Sequence, residues 1–417
     1  MKMSAKCPKV GLYVSGIVAV MAVSAYAGGF RLPDQDAFAT ARGEAFTATA
    51  DRPSAIYYNP AGISQLEGHN LQMGLYSIDL QPNYQSAAGG ATYEDQECFL
   101  TAPQFFYTYG KQDLPVSFGL GVYAPYGLGL EWPQDTGFRT VGYRSALTNI
   151  AVNPVVAWKI LPNLSVGVGV SVNWVKADLR QGLFAPTTPD DELKVVGDGW
   201  TVGYNFGVLW QPCEQISFGA TFRSCMEVEL DGHTTEFSNG FSVPQERRSV
   251  RLDLPMPYQF VLGVSYRPTP QWNLEFNYDY ADWSSLHTVY IERSSATTLL
   301  PATLPLTFNW ESSAYYEFGV TRYLESGWHM SGGYIFNEAS IPESTFTPLV
   351  TDVDKHFFSV GFGRKGKRFD FDLAYQFGYG PTKTVSGSPN SITVPNAADG
   401  KYEFFSHAVA VSVLVHF

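Results

Sequence analysis

Along Gln271 to Asp282, aromatic and aliphatic side chains take every second position. Trp272, Leu274, Phe276, Tyr278 and Tyr280 interleave with Gln271, Asn273, Glu275, Asn277 and Asp279. From Phe369 to Tyr379, Phe369, Phe371, Leu373, Tyr375 and Phe377 alternate in the same way with Asp370, Asp372, Ala374, Gln376 and Gly378. Successive side chains of a strand point to opposite faces, so each segment has one aromatic and one polar or small face. Length then separates a membrane strand from a soluble one. Trp200, Val202, Tyr204, Phe206, Val208 and Trp210 share a face, and ten residues extend about 33 Å at ~3.3 Å each. Tilted by about 40°, such a strand rises roughly 25 Å, the height of the apolar band between the aromatic girdles of a transmembrane barrel. Strands of soluble domains stop at about five or six residues.

Continued along the chain, the pattern predicts fourteen strands, at about 70–81, 101–110, 115–131, 142–160, 163–180, 199–212, 214–230, 248–267, 270–293, 311–324, 326–337, 354–364, 367–379 and 401–417. Their joins alternate. Short ones fall at Lys111 to Leu114, Leu161-Pro162, Cys213, Pro268-Thr269, Glu325 and Lys365-Gly366; long ones fall at 82–100, 132–141, 181–198, 231–247, 294–310, 338–353 and 380–400. Short periplasmic turns and long outer loops are the habit of outer-membrane barrels. The last strand carries Val411, Val413, Val415 and Phe417 on one face, and a terminal aromatic facing lipid is a signal for barrel-assembly machinery, an expected partner during biogenesis.

The start of the chain fits that compartment. Lys2, Lys6 and Lys9 precede an apolar stretch from Val10 to Val23, and Ala25-Tyr26-Ala27 supplies an A-x-A cleavage site. Residues 1–27 therefore read as a secretory signal peptide, with the mature chain beginning at Gly28. After residue 27 no run of 18 apolar residues occurs, so no spanning helix is expected. Residues 28–69 do not alternate. Asn59 can cap a short helix with Pro60 at its first position, where a missing N–H costs nothing. A lumen as wide as fourteen strands enclose needs water or a plug, and this segment is the plug candidate, leaving 70–417 as barrel.

Composition agrees: 15% aromatic, 39 glycines and only 16% charged residues. Leaving out the three signal lysines takes Lys+Arg from 27 to 24 against 39 Asp+Glu, a mature net charge of −15. So acidic a chain has no footprint for phosphate, and nucleic acid is not an expected partner. Cys98, Cys213 and Cys225 form neither a metal spacing nor a disulfide framework.

Several short motifs suggest a family. Gly28-Gly29-Phe30, Asn59-Pro60-Ala61 before the first strand, Tyr126-Gly127-Leu128 in the third and Leu252-Asp253-Leu254-Pro255 in the eighth resemble, in order over nearly the whole mature chain, the FadL/TodX family of outer-membrane transporters. That family carries long-chain fatty acids and hydrophobic aromatic compounds. The resemblance implies an all-β, fourteen-stranded antiparallel barrel closed by an N-terminal hatch of short helices in the lumen. It implies capture of a long-chain fatty acid or another hydrophobic small molecule by the outer loops, an internal apolar pocket, hatch movement, and sideways release through a kink of strand three at Tyr126 and Gly127. Gly29, Phe30 and Leu32 are candidates for the mobile tip that touches ligand; Asn59, Pro60 and Ala61 would hold the hatch to the wall. A monomer set in outer-membrane lipid, with no cofactor, is expected.

Further ligand candidates come from the residues themselves. Loop 294–310 is unusually apolar, with Leu299, Leu300, Leu304, Leu306 and Phe308, and exposed apolar patches mark interaction sites. Arg pairs with carboxylate in two-pronged fashion. Arg144 and Arg180 lie near outer strand ends, and parity turns Arg223 and Arg251 toward the lumen, either for a ligand carboxylate or for lumenal Asp253 or Glu275. A neutral hydrocarbon cargo stays open beside a fatty acid. No catalytic reading is favoured. Gly361 to Gly366 fits G-x-G-x-x-G without a helix behind it. His329 and Ser331 are similar to the His/Ser pair of outer-membrane phospholipases, but sit on the lumenal face, whereas that class wants its nucleophile facing lipid with a third orienting group. Asp190, Asp191 and Glu192 read as a solvated acidic loop rather than a metal site.

Overall fold

The computed structural model of the chain describes residues 29–417 except 88, 91, 97, 98 and 392. The signal-peptide reading, Gly28 and Cys98 lie outside the described residues. The strands form one antiparallel sheet that closes on itself. They are β1 (Gly68–Ser86), β2 (Phe99–Gly110), β3 (Val116–Tyr123 and Gly127–Glu131), β4 (Arg144–Leu161), β5 (Leu164–Gln181), β6 (Asp191–Cys213) and β7 (Ile216–Arg223 and Met226–Ser238). There follow β8 (Val243–Met256 and Gln259–Thr269), β9 (Trp272–Ala281 and Thr288–Arg293), β10 (Thr303–Thr307 and Ser313–Tyr323), β11 (Trp328–Asn337), β12 (Lys355–Arg364), β13 (Phe369–Val385) and β14 (Gly400–His416). The barrel shuts where β14 pairs with β1 in unbroken register from Asn70↔His416 to Ser86↔Gly400.

Fourteen strands joined alternately by short and long connections are what the period-two pattern predicts. The strands rise higher than expected on the long-loop side. β7 and β8 run to within four residues of each other, at 239–242, where a loop of 231–247 is expected. β6 begins at Asp191, and Thr303–Thr307 forms a strand within the expected loop 294–310. The outer parts of these hairpins carry charge on their outer face, so they lack the lipid-facing apolar face that marks a membrane strand in sequence.

The outward face follows the predicted alternation. Trp200, Val202, Tyr204, Phe206 and Trp210 are exposed, as are Trp272, Leu274, Phe369, Phe371, Val411 and Val413. Phe417 is exposed too, its N–H bonded to the His69 carbonyl. These side chains form the apolar belt that a bilayer covers.

The lumen is occupied by the residues that precede β1. Two short helices, α1 (Ala37–Ala41) and α2 (Ala55–Tyr58), and a 3-10 turn over Pro60–Gln65 are buried almost throughout. Asp36 caps α1 by accepting from the Phe38 N–H at 3.0 Å. Helices of four and five residues do not persist on their own; the barrel wall holds them.

Candidate functional site

The lower lumen is polar, and charged pairs tie the N-terminal segment to it. Arg52 meets Asp372 at 2.5 Å, and His329 Nε2 shares that carboxylate at 2.7 Å. Arg42 faces Glu275, which also accepts from the Ala48 N–H at 2.7 Å and from Thr49. Arg31, near the tip, meets Asp279 of β9 at 2.5 Å. Buried charges persist only when paired and hydrogen-bonded, and a set of such pairs around the wall fixes one seating of the plug. His329 and Ser331 belong to this polar filling, Ser331 bonded to Thr321 at 2.8 Å.

Asn59, Pro60 and Ala61 press on the opposite wall. Asn59 Nδ2 donates to the Thr47 carbonyl at 2.8 Å and to the Val208 carbonyl of β6 at 3.0 Å, while its Oδ1 accepts from the Ala61 N–H. Glycine makes room there. A Cβ at Gly207 would lie 2.2 Å from Asn59 Oδ1, and one at Gly167 would lie 2.4 Å from the Pro60 carbonyl carbon.

Above the plug the wall changes character, because β3 and the four consecutive strands β7 to β10 are interrupted near the segment's tip. β3 breaks at 124–126, β7 at 224–225, β8 at 257–258, β9 at 282–287 and β10 at 308–312. In four of them the break slips the inward register by one residue. In β8, Gln259 and Val261 point inward below the break, and Leu252, Leu254 and Met256 point inward above it. The same exchange brings in Tyr126, Leu128 and Leu130 of β3, Met226, Val228 and Leu230 of β7, and Leu304 and Leu306 of β10. Together with Trp283, Val289 and Ile291 they give the barrel interior above the polar plug, its upper chamber, an apolar lining packed as one buried cluster. Outside the chamber the wall is charged, with Glu229 and Arg251 paired on it. The chamber thus stands above the lipid belt as a collar that is apolar within and wet without.

The register slip corrects one expectation. Arg251 does not face the lumen; its side chain is 54% exposed and pairs with Glu229, close to the likewise exposed Asp253. Arg144 and Arg180 also point outward, held by Glu131 and Asp178. Arg223 does face inward, donating to Tyr123 Oη and to the Tyr57 carbonyl. Leu299, Leu304, Leu306 and Phe308 pack partly buried against the chamber lining, and Leu300 is buried in it. Loop 338–354 roofs the chamber: Trp132 Nε1 donates to the Pro348 carbonyl at 2.9 Å and Ser145 Oγ to the Leu349 carbonyl at 2.6 Å.

The break in β3 opens the wall sideways. β2 pairs with Val116–Tyr123 only through Phe105–Gly110, and Gly127–Glu131 forms a ladder with β4 alone, Glu131 being bonded also by the Gln96 N–H just before β2, so among the described residues no register joins Phe99–Gln104 to β3. The N-terminal tip fills this gap from inside. Leu32 N–H donates to the Pro125 carbonyl, Gly127 N–H donates to the Phe30 carbonyl, and Gln104 Nε2 of β2 donates to the Asp34 carbonyl at 2.7 Å. Gly29 adopts a left-handed φ of 72° with Trp283 against it, where a Cβ would lie 2.5 Å from the indole ring. Phe30 projects into a ring of aromatics: Trp283 at 4.7 Å, Trp310 at 5.8 Å and Tyr126 at 6.1 Å between centroids.

A closed antiparallel barrel with an apolar outer belt and a lumen stoppered by its own N-terminal segment defines a plugged outer-membrane barrel. The chain belongs to the family of outer membrane protein transport proteins (OMPP1/FadL/TodX), whose family model matches residues 18–417. The long-chain fatty acid transport protein of Escherichia coli O6:H1 is 22% identical over 387 residues, covering 82% of this chain and 85% of that protein. Outer membrane protein P1 of Haemophilus influenzae Rd is 20% identical, covering 87% of this chain and 88% of that protein. Among solved structures, a Pseudomonas aeruginosa FadL homologue superposes with a TM-score of 0.83 at 16% identity, over 93% of this chain and all of the other. The P. putida toluene transporter TodX superposes with a TM-score of 0.72 at 17% identity, over 88% of this chain and 94% of the other. The protein is thus an outer-membrane, multi-pass β-barrel.

Proposed function

We propose that the protein carries hydrophobic small molecules, long-chain fatty acids foremost, across the outer membrane without opening a water-filled pore. The observation that carries this reading is the apolar chamber set directly above a polar, ion-paired plug, beside the one stretch where β2 and β3 do not pair. Apolar surface leaves water at a gain of about 25 cal/mol per Å², so the chamber draws such a molecule out of the aqueous phase. Beneath it the plug offers charge and buried hydrogen bonds, a poor path for a hydrocarbon. The unpaired edges of Phe99–Gln104 and Gly127–Leu130 offer the way out, into the bilayer, once the tip at Phe30 to Asp34 withdraws. Gly29, Phe30 and Leu32 are the moving, ligand-touching part on this reading, and Asn59, Pro60 and Ala61 the fixed anchor.

Aromatic hydrocarbons are the second reading, favoured by a specific observation: Arg144, Arg180 and Arg251 all face away from the chamber. The names of the curated relatives support fatty acids, and that of TodX supports aromatics. The reading includes export of the precursor by residues 1–27, assembly through the terminal strand ending at Phe417, a monomeric state, and no catalytic role for His329 or Ser331. Uptake of labelled oleate and labelled toluene by cells lacking their own hydrophobic-compound transporter tests it. Expression of this chain raises the uptake of at least one; unchanged uptake of both contradicts it.

A further inference from the structure

Two indole N–H groups in the chamber have no hydrogen-bond partner among the described residues. Trp283 and Trp310 are 0% and 2% exposed, and neither Nε1 is bonded. Other indoles of the same chain are satisfied: Trp132, in the same apolar cluster, donates to Pro348 and Trp174 donates to Asp198. Leaving a buried donor unmade is expensive, and tryptophan normally finds a partner for its N–H when buried. The two rings lie 5.3 Å apart and both contact Phe30. They stand where β9 and β10 are interrupted side by side, with the backbone N–H of Trp310 bonded to the Leu286 carbonyl. Phe30 itself sits edge-on to Trp283 at an interplanar angle of 72° and edge-on to Tyr126 at 64°. That is the arrangement aromatic rings prefer.

We propose that Tyr126, Trp283 and Trp310 form a box for the ring of a neutral aromatic compound bearing an acceptor oxygen, whose place Phe30 holds while the plug is seated. The inference rests on the hydrophobic-transport reading above and concerns its second, aromatic cargo. A ring takes the position of Phe30 when the tip withdraws, and a carbonyl or ether oxygen on it accepts from the indole N–H groups. An alkyl chain or a plain hydrocarbon ring leaves both donors unmade. A carboxylate would enter a cluster whose members carry no charge, while Arg31, next to Phe30, is already taken by Asp279; an unpaired anion in such surroundings is strongly disfavoured.

Acetophenone and α-methylstyrene differ in a carbonyl against a methylene group at nearly constant shape, and oleate serves as the reference hydrophobic ligand. Binding of each is measured by equilibrium dialysis on the full-length protein in nanodiscs, corrected for partition into protein-free discs. The parent prefers acetophenone by about tenfold, the ratio that a well-made hydrogen bond confers. Trp283→Phe and Trp310→Phe each reduce that preference several-fold and together abolish it, with the rings retained. Phe30→Ala, which vacates the box, tightens acetophenone binding. Equal binding of the two compounds by the parent, or a preference that survives the double substitution, overturns the acceptor assignment. Phe30→Ala protein that binds acetophenone no better overturns the place-holder. Oleate or α-methylstyrene binding without any carbonyl preference defeats this inference alone, whereas failure of all three compounds to bind defeats the transport reading with it.

Discussion

Gln35 Nε2 donates 2.9 Å to the carbonyl of Ala124, two residues beyond Val122, the last residue of β3 that pairs with β2. Its neighbour Asp34 accepts from Gln104 on the other edge of the same gap. Two consecutive plug residues therefore span both edges of the unpaired wall, and the seat of the plug and the closure of the side gap are one structure.

The double substitution Gln35→Ala with Gln104→Ala removes these side-chain donors. Each typical hydrogen bond contributes about 1 kcal/mol, so local opening at the gap becomes easier by roughly tenfold or more. Amide exchange at Leu32 and Gly127, whose N–H groups close the tip onto β3, accelerates by that factor, while exchange along the β14–β1 seam stays unchanged.

Arg31 and Asp279 are both buried. Removing one partner leaves an uncompensated buried charge, at about 3–5 kcal/mol. Arg31→Met alone releases the tip and gives measurable ion conductance in planar bilayers. Adding Asp279→Leu, which removes the orphaned carboxylate, restores the low conductance.

The glycine cradle gives a steric test on the opposite wall. Gly207→Val places carbon where Asn59 Oδ1 and the Pro60 ring now lie. Overpacking of this kind costs about 1–3 kcal/mol. The barrel still forms, judged by heat-modifiable migration, but the plug becomes protease-sensitive between Asn59 and Gln65.

Within the plug, burial raises Asp34 from 3.8 to about 6, and Glu44 is also raised, by its own burial and by the nearby Asp34 charge. The groups facing them are Gln376 and Thr40 on the Asp34 carboxyl, which also meets Glu44, Tyr58 on Glu44, and the Glu317 carboxylate near Glu44. With the seated-state value above the free value, the seated plug binds more protons in between, so stability falls as pH rises. This contribution is full below 3.8 and is lost as pH climbs through about 6. Protease clipping of the plug is therefore faster at pH 8 than at pH 5, and Asp34→Asn removes most of the difference.

The strand count, the lipid face and the position of the plug were legible because alternation and loop length carry them directly. The chamber was not legible, for a reason that β8 makes plain. Val250, Leu252, Leu254, Met256, Phe260, Leu262 and Val264 all lie on even positions, an apparently seamless face. The one-residue slip at Pro257-Tyr258 turns the upper set into the chamber and the lower set to lipid. A binary pattern records that a face is apolar, not what it is apolar against, so Arg251 was assigned to the wrong side. The available signal was proline within a strand, at Pro125 and Pro257, since proline cannot donate to a ladder and marks edges or bulges. Trp283 and Trp310 gave no such signal, because they lie in interruptions that parity does not describe.

The same slip supplies the most direct test. In β3, Tyr123 points inward below the break and Tyr126 and Leu128 point inward above it, so deleting Pro125 alone restores continuous alternation with the same side chains inside. Uptake of a labelled hydrophobic compound by cells expressing the Pro125 deletion is then compared with the parent at equal levels of folded, heat-modifiable barrel. If cargo leaves sideways between β2 and β3, the straightened strand pairs with Phe99–Gln104 and uptake falls at least tenfold. Uptake that persists at the parent rate contradicts lateral release and requires a path through the plug.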